Sequence, residues 1–258
     1  MSVGPRLDLL RPRSLGQLFG DAFNSYTRHF SSFLAIGAAV VIPVQLVVSG
    51  LGLGELGGDY ARATGTSASA VQLASSYLIT GPLITAMVVH ALLAVADGRR
   101  PHPGLAITSG LEAFRPIFFA VLIAAAGVVL GFILFVVPGI WLLVRWYFTP
   151  QAVVVDGRRG TRALERSAEL VAGSWWRVAA ILLCTALAVE IAAALFVVPL
   201  TAWARSADSG ALFLAGQVLG GVFTMPFAAI MLTLLYFDLL ARHSLPAMVP
   251  PVQPPPAS

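Results

Sequence analysis

The stretch PIFFAVLIAAAGVVLGFILFVV, from Pro116 to Val137, contains no charged and no hydrogen-bonding side chain. As a helix its 22 residues would rise about 33 Å, enough to cross the ~30 Å hydrocarbon core of a bilayer. The same character recurs on both sides of it, over Ser32 to Leu51, Val71 to Val95, Ile140 to Val155, Val178 to Pro199 and Ala211 to Phe237. Of the 258 residues 58% are hydrophobic and 11% charged, against about 25% charged in a soluble domain. A mean hydropathy of +0.86 excludes a disordered chain. The expected fold is all-α, a polytopic membrane helical bundle with six transmembrane helices. The segment over 140–155 is short and carries Arg145 and Pro150. It is counted as a span because a one-way third span would leave the arginines of the following loop outside.

Loop charges set the expected threading, since arginines stay on the cytoplasmic side of a membrane. All 16 basic residues are arginine, and the net charge is +4. Arg6, Arg11, Arg13 and Arg28 precede span one; Arg99, Arg100 and Arg115 lie between spans two and three. Arg158, Arg159, Arg162, Arg166 and Arg177 lie between spans four and five, and Arg242 follows span six. The opposite side holds only Arg62 and Arg205. Both termini are therefore expected in the cytoplasm, in a plasma membrane, with span one acting as an uncleaved signal anchor. Arginines scattered between apolar runs do not make the basic face of a nucleic-acid binder.

Three copies of one plan are expected: a short amphipathic interfacial helix, then a transmembrane hairpin. Leu15, Leu18, Phe19, Ala22, Phe23, Tyr26 and Phe30 follow helical spacing, and Leu105 to Phe114 and Ala163 to Trp176 repeat the arrangement. Phe135-Val-Val-Pro138 recurs 61 residues later as Phe196-Val-Val-Pro199. The turn after span three is placed at Pro138-Gly139. Gly52 to Ala70 reads as a flexible external loop. Residues 1–243 form the membrane domain and 244–258 a proline-rich cytoplasmic tail.

No HExxH, CxxC, Walker A loop or GxSxG elbow is present. His29, His90, His102 and His243 lack metal-ligand spacing. No catalytic residue, metal site or cofactor is expected, and Cys184 is expected to be buried and inert. The informative residues are polar groups at membrane depth, which face a bundle interior because they are costly in lipid. Arg145 and Glu190 are expected to form an intramembrane ion pair, with the outer ends of their spans near Gly139 and Pro199. Asp238 is expected to pair at the cytoplasmic face with Arg162 or Arg166. Gly81-Pro82 in span two and Pro226 in span six interrupt corresponding helices, which can mark a transport site. Gly127-xxx-Gly131 and Gly216-xxx-Gly220 allow close helix approach.

Leu15-Gly16 through Ala22-Phe23-xx-Tyr26 and Phe30 is followed by Pro138-Gly139-Ile140-Trp141 with Arg145-Trp146. Then come Ala163-Leu164-x-Arg166-Ser167-xx-Leu170-xx-Gly173-x-Trp175-Trp176 and Tyr236-Phe237-Asp238-Leu239. In this order the set resembles the bacterial six-helix family described as the membrane domain of glycerophosphoryl diester phosphodiesterase, with its stand-alone relatives. The resemblance covers nearly everything but the external loop and the tail. It implies a membrane module, while catalysis in the named enzymes resembles that of a separate barrel domain for which this chain has no room. Leu240 departs from the arginine that such relatives are expected to carry.

The chain thus reads as a non-catalytic membrane protein whose expected partners are lipids and other membrane proteins or a second copy of itself. The alternative is a small transporter or lipid-handling protein with a site between spans two and six. A polar cavity near Pro82, Pro226, Glu190 and Arg145 would favour the alternative; a dry bundle would favour the first reading.

Overall fold

The computed structural model describes residue 9, residues 11–49 and residues 60–244. All regular structure among them is helical: α1 Leu15–Arg28, α2 Phe30–Val48, α3 Tyr60–Ala63, α4 Thr66–Ser75, α5 Gly81–Ala96, α6 Pro103–Leu134, α7 Val136–Trp146, α8 Thr149–Val155, α9 Thr161–Val171, α10 Trp175–Ser206 and α11 Gly210–Ser244. A π-helical turn, Ser76–Thr80, joins α4 to α5. Among the described residues five stretches are long and apolar enough to cross a membrane: Phe30–Val48, Ser69–Ala96, Pro103–Leu134, Trp175–Ser206 and Gly210–His243. They fit a multi-pass membrane protein, because a helix satisfies its own backbone hydrogen bonds where no water can.

The fourth expected span, over 140–155, is two short helices, α7 and α8, separated at Tyr147-Phe148. Pro150 has no N–H for the Trp146 carbonyl and its ring crowds that group. Thr149 replaces the lost donor, its hydroxyl donating to the Trp146 carbonyl at 2.6 Å. Ser167 of α9 closes the rest of the gap. Its hydroxyl donates to the Arg145 carbonyl at 2.8 Å and accepts from the Phe148 N–H at 3.1 Å. A break that would strand polar backbone is thereby satisfied from a neighbouring helix.

The turn after α6 lies at Phe135, whose backbone is extended (φ −162°, ψ 157°), and not at Pro138-Gly139. Pro138 falls in the first turn of α7, where an N–H would have no helical acceptor anyway. Gly139 serves packing: a Cβ on Gly131 would stand 3.0 Å from the Gly139 Cα, so only glycines let α7 fold back onto α6 this closely.

Two of the three expected interfacial helices are separate elements. Ser14 starts α1 with a capping box, its hydroxyl accepting from the Gln17 N–H and Gln17 reaching back to the Ser14 N–H. In α9 the helix ends at Val171, before Gly173 at φ +78°, and the tryptophans expected at its end instead open α10. The second expected copy does not separate, because α6 runs unbroken from Pro103 to Leu134. Arg115 is a good helix former, and Pro116 removes one bond without supplying a turn. In the expected external loop, the described part holds α3 and the start of α4. The proline-rich tail after Ser244 lies outside the described residues.

At the centre is α11, which packs along α10 and against α1, α2 and α5, while α6 carries α7 and α8. Its second half is buried on all sides, including Ile230, Met231, Leu234, Leu235, Tyr236 and Leu239, as expected of an inner helix that is apolar all round. Both GxxxG pairs act inside the bundle. Gly127 faces Trp146 and Gly131 faces Gly139, while Gly216 and Gly220 face Val197 of α10.

Candidate functional site

The two helix breaks singled out in the sequence are filled by packing. Pro226 removes the N–H that the Val222 carbonyl would accept from, and α2 closes on that carbonyl through Gly37. A Cβ on Gly37 would lie 2.6 Å from the Val222 oxygen and 2.8 Å from the Pro226 ring. One residue on, the Phe223 carbonyl accepts from the Tyr26 hydroxyl of α1 at 2.8 Å. At the other break the Gly81 N–H donates to the Ser76 carbonyl across the π turn, which widens the helix ahead of the Pro82 ring. Pro82 and Pro226 are both buried.

Polar chemistry is concentrated around Asp238, near the C-terminal end of α11, with no exposed surface. One carboxylate oxygen accepts from the Arg13 backbone N–H at 2.6 Å and the other from Arg177 Nη1 at 2.7 Å. Arg242 Nε, one helical turn further on α11, lies 3.1 Å from both. The two guanidinium groups also grip the Arg13 carbonyl, Arg177 Nη2 and Arg242 Nη2 each donating to it at 2.9 Å. Each planar fork thus spans from the Asp238 side chain to the Arg13 backbone, a geometry that lysine cannot reproduce.

Arg13 is itself buried, at 1% exposure. Its Nε donates to Asp21 of α1 at 2.9 Å, its Nη1 to the Leu9 carbonyl at 3.0 Å, and Arg11 Nη2 meets the same Asp21 oxygen at 2.7 Å. Burial works against ionisation of Asp21, but the hydrogen bonds from Arg11 and Arg13 outweigh it and hold its carboxyl below the ordinary value of 3.8. Four guanidinium groups, of Arg11, Arg13, Arg177 and Arg242, around the two carboxylates of Asp21 and Asp238 give the cluster itself a formal net charge of +2. The cluster clasps the segment before α1, α1 itself, α10 and α11 together. With both Asp238 oxygens occupied, no lone pair is left free for proton transfer to a substrate. Among the described residues no group of three or more His, Cys, Asp or Glu could hold a metal ion.

Neither Arg162 nor Arg166 pairs with Asp238. Arg162 is exposed, and Arg166 Nε donates to Asp156 while its Nη1 reaches Glu169 at 3.4 Å. The link between α8 and α9 is short enough to hold Asp156 beside Arg166, so the local partner takes the guanidinium. Burial disfavours the Arg166 charge, but the bond to Asp156 prevails and raises its pKa above the ordinary value.

Arg145 and Glu190 do not pair either. The Arg145 guanidinium lies 4.7 Å from the centre of the Trp141 ring, a cation–π contact. The Trp175 indole donates to the Trp141 carbonyl at 3.4 Å, which sets α7 beside the first turn of α10. Glu190 lies fifteen residues further along α10, about 22 Å away. The expectation placed α7 at the Pro199 end of α10, and the structure places it at the other. Glu190 and Cys184 are exposed, in contrast to the buried positions expected of both.

The Arg13 and Asp21 contributions were missed by sequence reading. A weak signal existed in two arginines, Arg11 and Arg13, placed just before a capping box and eight to ten residues from an aspartate. Residues 78–239 match a family described as a domain of unknown function, DUF7847. The match spans more than half of the chain, which belongs to that family. No curated protein and no solved structure matches it.

Proposed function

We propose that the chain is a non-catalytic integral membrane module that presents helices and a basic face to lipids and to other membrane components. The close packing of both helix breaks, with Pro82 and Pro226 buried, carries this reading. Where a transporter would hold a polar site, α2 closes on the Val222 carbonyl and the Pro226 ring through Gly37. Arg145 and Glu190, the other candidates for a polar route, are far apart and one of them is exposed. The order of motifs resembling the phosphodiesterase membrane-domain family supports a module of the same kind. In this reading both termini face the cytoplasm, and α7 with α8 forms the fourth of six passages, a broken one.

Water accessibility tests it. Cysteines at Thr85 and Thr233, both buried, in a Cys184→Ala background should resist a membrane-impermeant thiol reagent from either side. Labelling from one side at either position would establish an aqueous path into the bundle and replace this reading with the transporter.

A further inference from the structure

A groove of about 520 Å³ opens where α10 begins, walled by Gly173, Ser174, Trp175, Trp176 and Arg177. Arg177 is the only charged residue among the five, and Glu169, four residues before Gly173 in the chain, is engaged by Arg166 at 3.4 Å. The apolar stretch of α10 begins at Trp175 and that of α11 ends at His243. Arg177 and Arg242, which both bond Asp238, therefore stand together at one headgroup level of the membrane these helices cross. Trp176, 82% exposed, is the residue type enriched at that level.

The charges here are layered, with the carboxylate inside and the guanidinium groups outside. Asp238 has no exposed surface, whereas the Arg177 and Arg242 side chains are 29% and 40% exposed. Two guanidinium groups share this one carboxylate, which leaves one unit of positive charge facing outward. Each fork also keeps a donor to spare. Asp238 and the Arg13 carbonyl take Nη1 and Nη2 of Arg177 and Nε and Nη2 of Arg242, and among the described residues nothing accepts from Arg177 Nε or Arg242 Nη1.

We propose that this groove holds the phosphate headgroup of an anionic phospholipid, with Arg177 and Arg242 supplying the charge and Trp176 the apolar wall. A phosphate oxygen accepts from the spare guanidinium donors, a charge-assisted bond of the kind arginine makes best. Both forks are already fixed by Asp238 and the Arg13 carbonyl, so little side-chain freedom is lost on binding. A zwitterionic lipid brings its own cation, whereas an anionic one offsets the unit of charge that Asp238 leaves over. A free phosphate ion shares the headgroup's chemistry but gains nothing from an exposed tryptophan, while a lipid covers Trp176 and lays its acyl chains beside α10, of whose apolar window only 11% is buried. The inference rests on the module reading above and names the class of lipid it contacts.

Native mass spectrometry tests it, on the full chain in detergent titrated with phosphatidylglycerol or phosphatidylcholine and read as the affinity for the first lipid bound. One unit of leftover charge should favour phosphatidylglycerol about fivefold. Trp176→Glu and Arg242→Gln each cancel that unit and should bring the ratio of the two affinities to about one. Trp176→Gln should keep it, as should Trp203→Glu at the far end of α10, where Trp203 is also exposed. Trp176 is a surface residue, so Trp176→Glu reads the site even where Arg242→Gln loosens the clasp. Equal affinities in the wild type, or an unchanged ratio in Trp176→Glu, would overturn the site and leave the module reading standing. Displacement of phosphatidylglycerol by excess inorganic phosphate would overturn the lipid and give the groove to a soluble anion. Labelling of Thr233→Cys from the aqueous phase, in the Cys184→Ala background, would instead remove the module reading itself.

Discussion

Replacing Asp238 by asparagine keeps the shape of the clasp and removes the charge at its centre. Asp238 is fully buried, while the side chains of Arg177 and Arg242 are 29% and 40% exposed. Breaking a fully buried pair costs about 3 to 5 kcal/mol, and exposed pairs are worth about 0.2 to 1 kcal/mol. Two half-buried partners that keep their bonds to the Arg13 carbonyl put the loss between these limits, at about 2 kcal/mol. Asp238→Ala also leaves the Arg13 N–H without its acceptor, which adds about 1 kcal/mol. A loss of about 2 kcal/mol opens the clasp about 30-fold more often, at tenfold per 1.4 kcal/mol. Trypsin reads this directly. The chain has no lysine, and the Arg13–Ser14 bond is shielded because the Arg13 side chain, N–H and carbonyl are all held. Cleavage there, followed by mass spectrometry, should speed up about 30-fold in Asp238→Asn and more in Asp238→Ala, provided opening is fast relative to cutting. Equal cleavage rates in wild type and Asp238→Ala would refute the reasoning, since the strap would then be held by something other than this carboxylate.

Gly37→Ala forces a methyl group against the Val222 carbonyl and the Pro226 ring and should cost about 1 to 3 kcal/mol of stability, measured as detergent resistance on heating. Arg145→Ala and Glu190→Ala should change thermal stability additively in a double-mutant cycle, because the guanidinium is spent on Trp141; a coupling above about 0.5 kcal/mol would restore the ion pair. Because Asp21 has a lowered folded pKa, its contribution is present above its ordinary value of 3.8 and lost as pH falls through the lower folded value. Heat resistance should therefore drop below about pH 4, and Asp21→Asn should flatten that limb of the profile. A reporter active only outside the cytoplasm should stay silent when fused after Ser258 and become active when inserted at Thr64; an active C-terminal fusion would reverse the threading.

Long apolar runs are a local property, so the all-helical, membrane-spanning character could be read directly from the residues, whereas the expected count of six could not, since five stretches qualify among the described residues. The hydrocarbon core demands about twenty apolar residues per crossing whatever the neighbours are. The same holds for α1, whose apolar residues from Leu15 follow helical spacing, but not for the end of α9, which is expected at Trp176 and falls at Val171. Pairing of polar groups followed a different rule. The Arg145–Glu190 expectation rested on counting depth from chain ends, but α7 folds back from an extended Phe135 and comes to rest beside Trp175. Asp238 could be picked out as costly, yet its partners come from positions 13, 177 and 242, two of them more than sixty residues away or at the other end of the chain. Such contacts depend on which helices become neighbours, and hydrophobic periodicity carries no information about that choice. Sequence alone determined that this chain belongs in a lipid-like solvent and which residues are expensive there. Only the tertiary structure decided how each expense is met: Pro226 by the closeness of Gly37, the α7–α8 break by Ser167, Asp238 by two arginine forks, and Glu190 by no partner among the described residues.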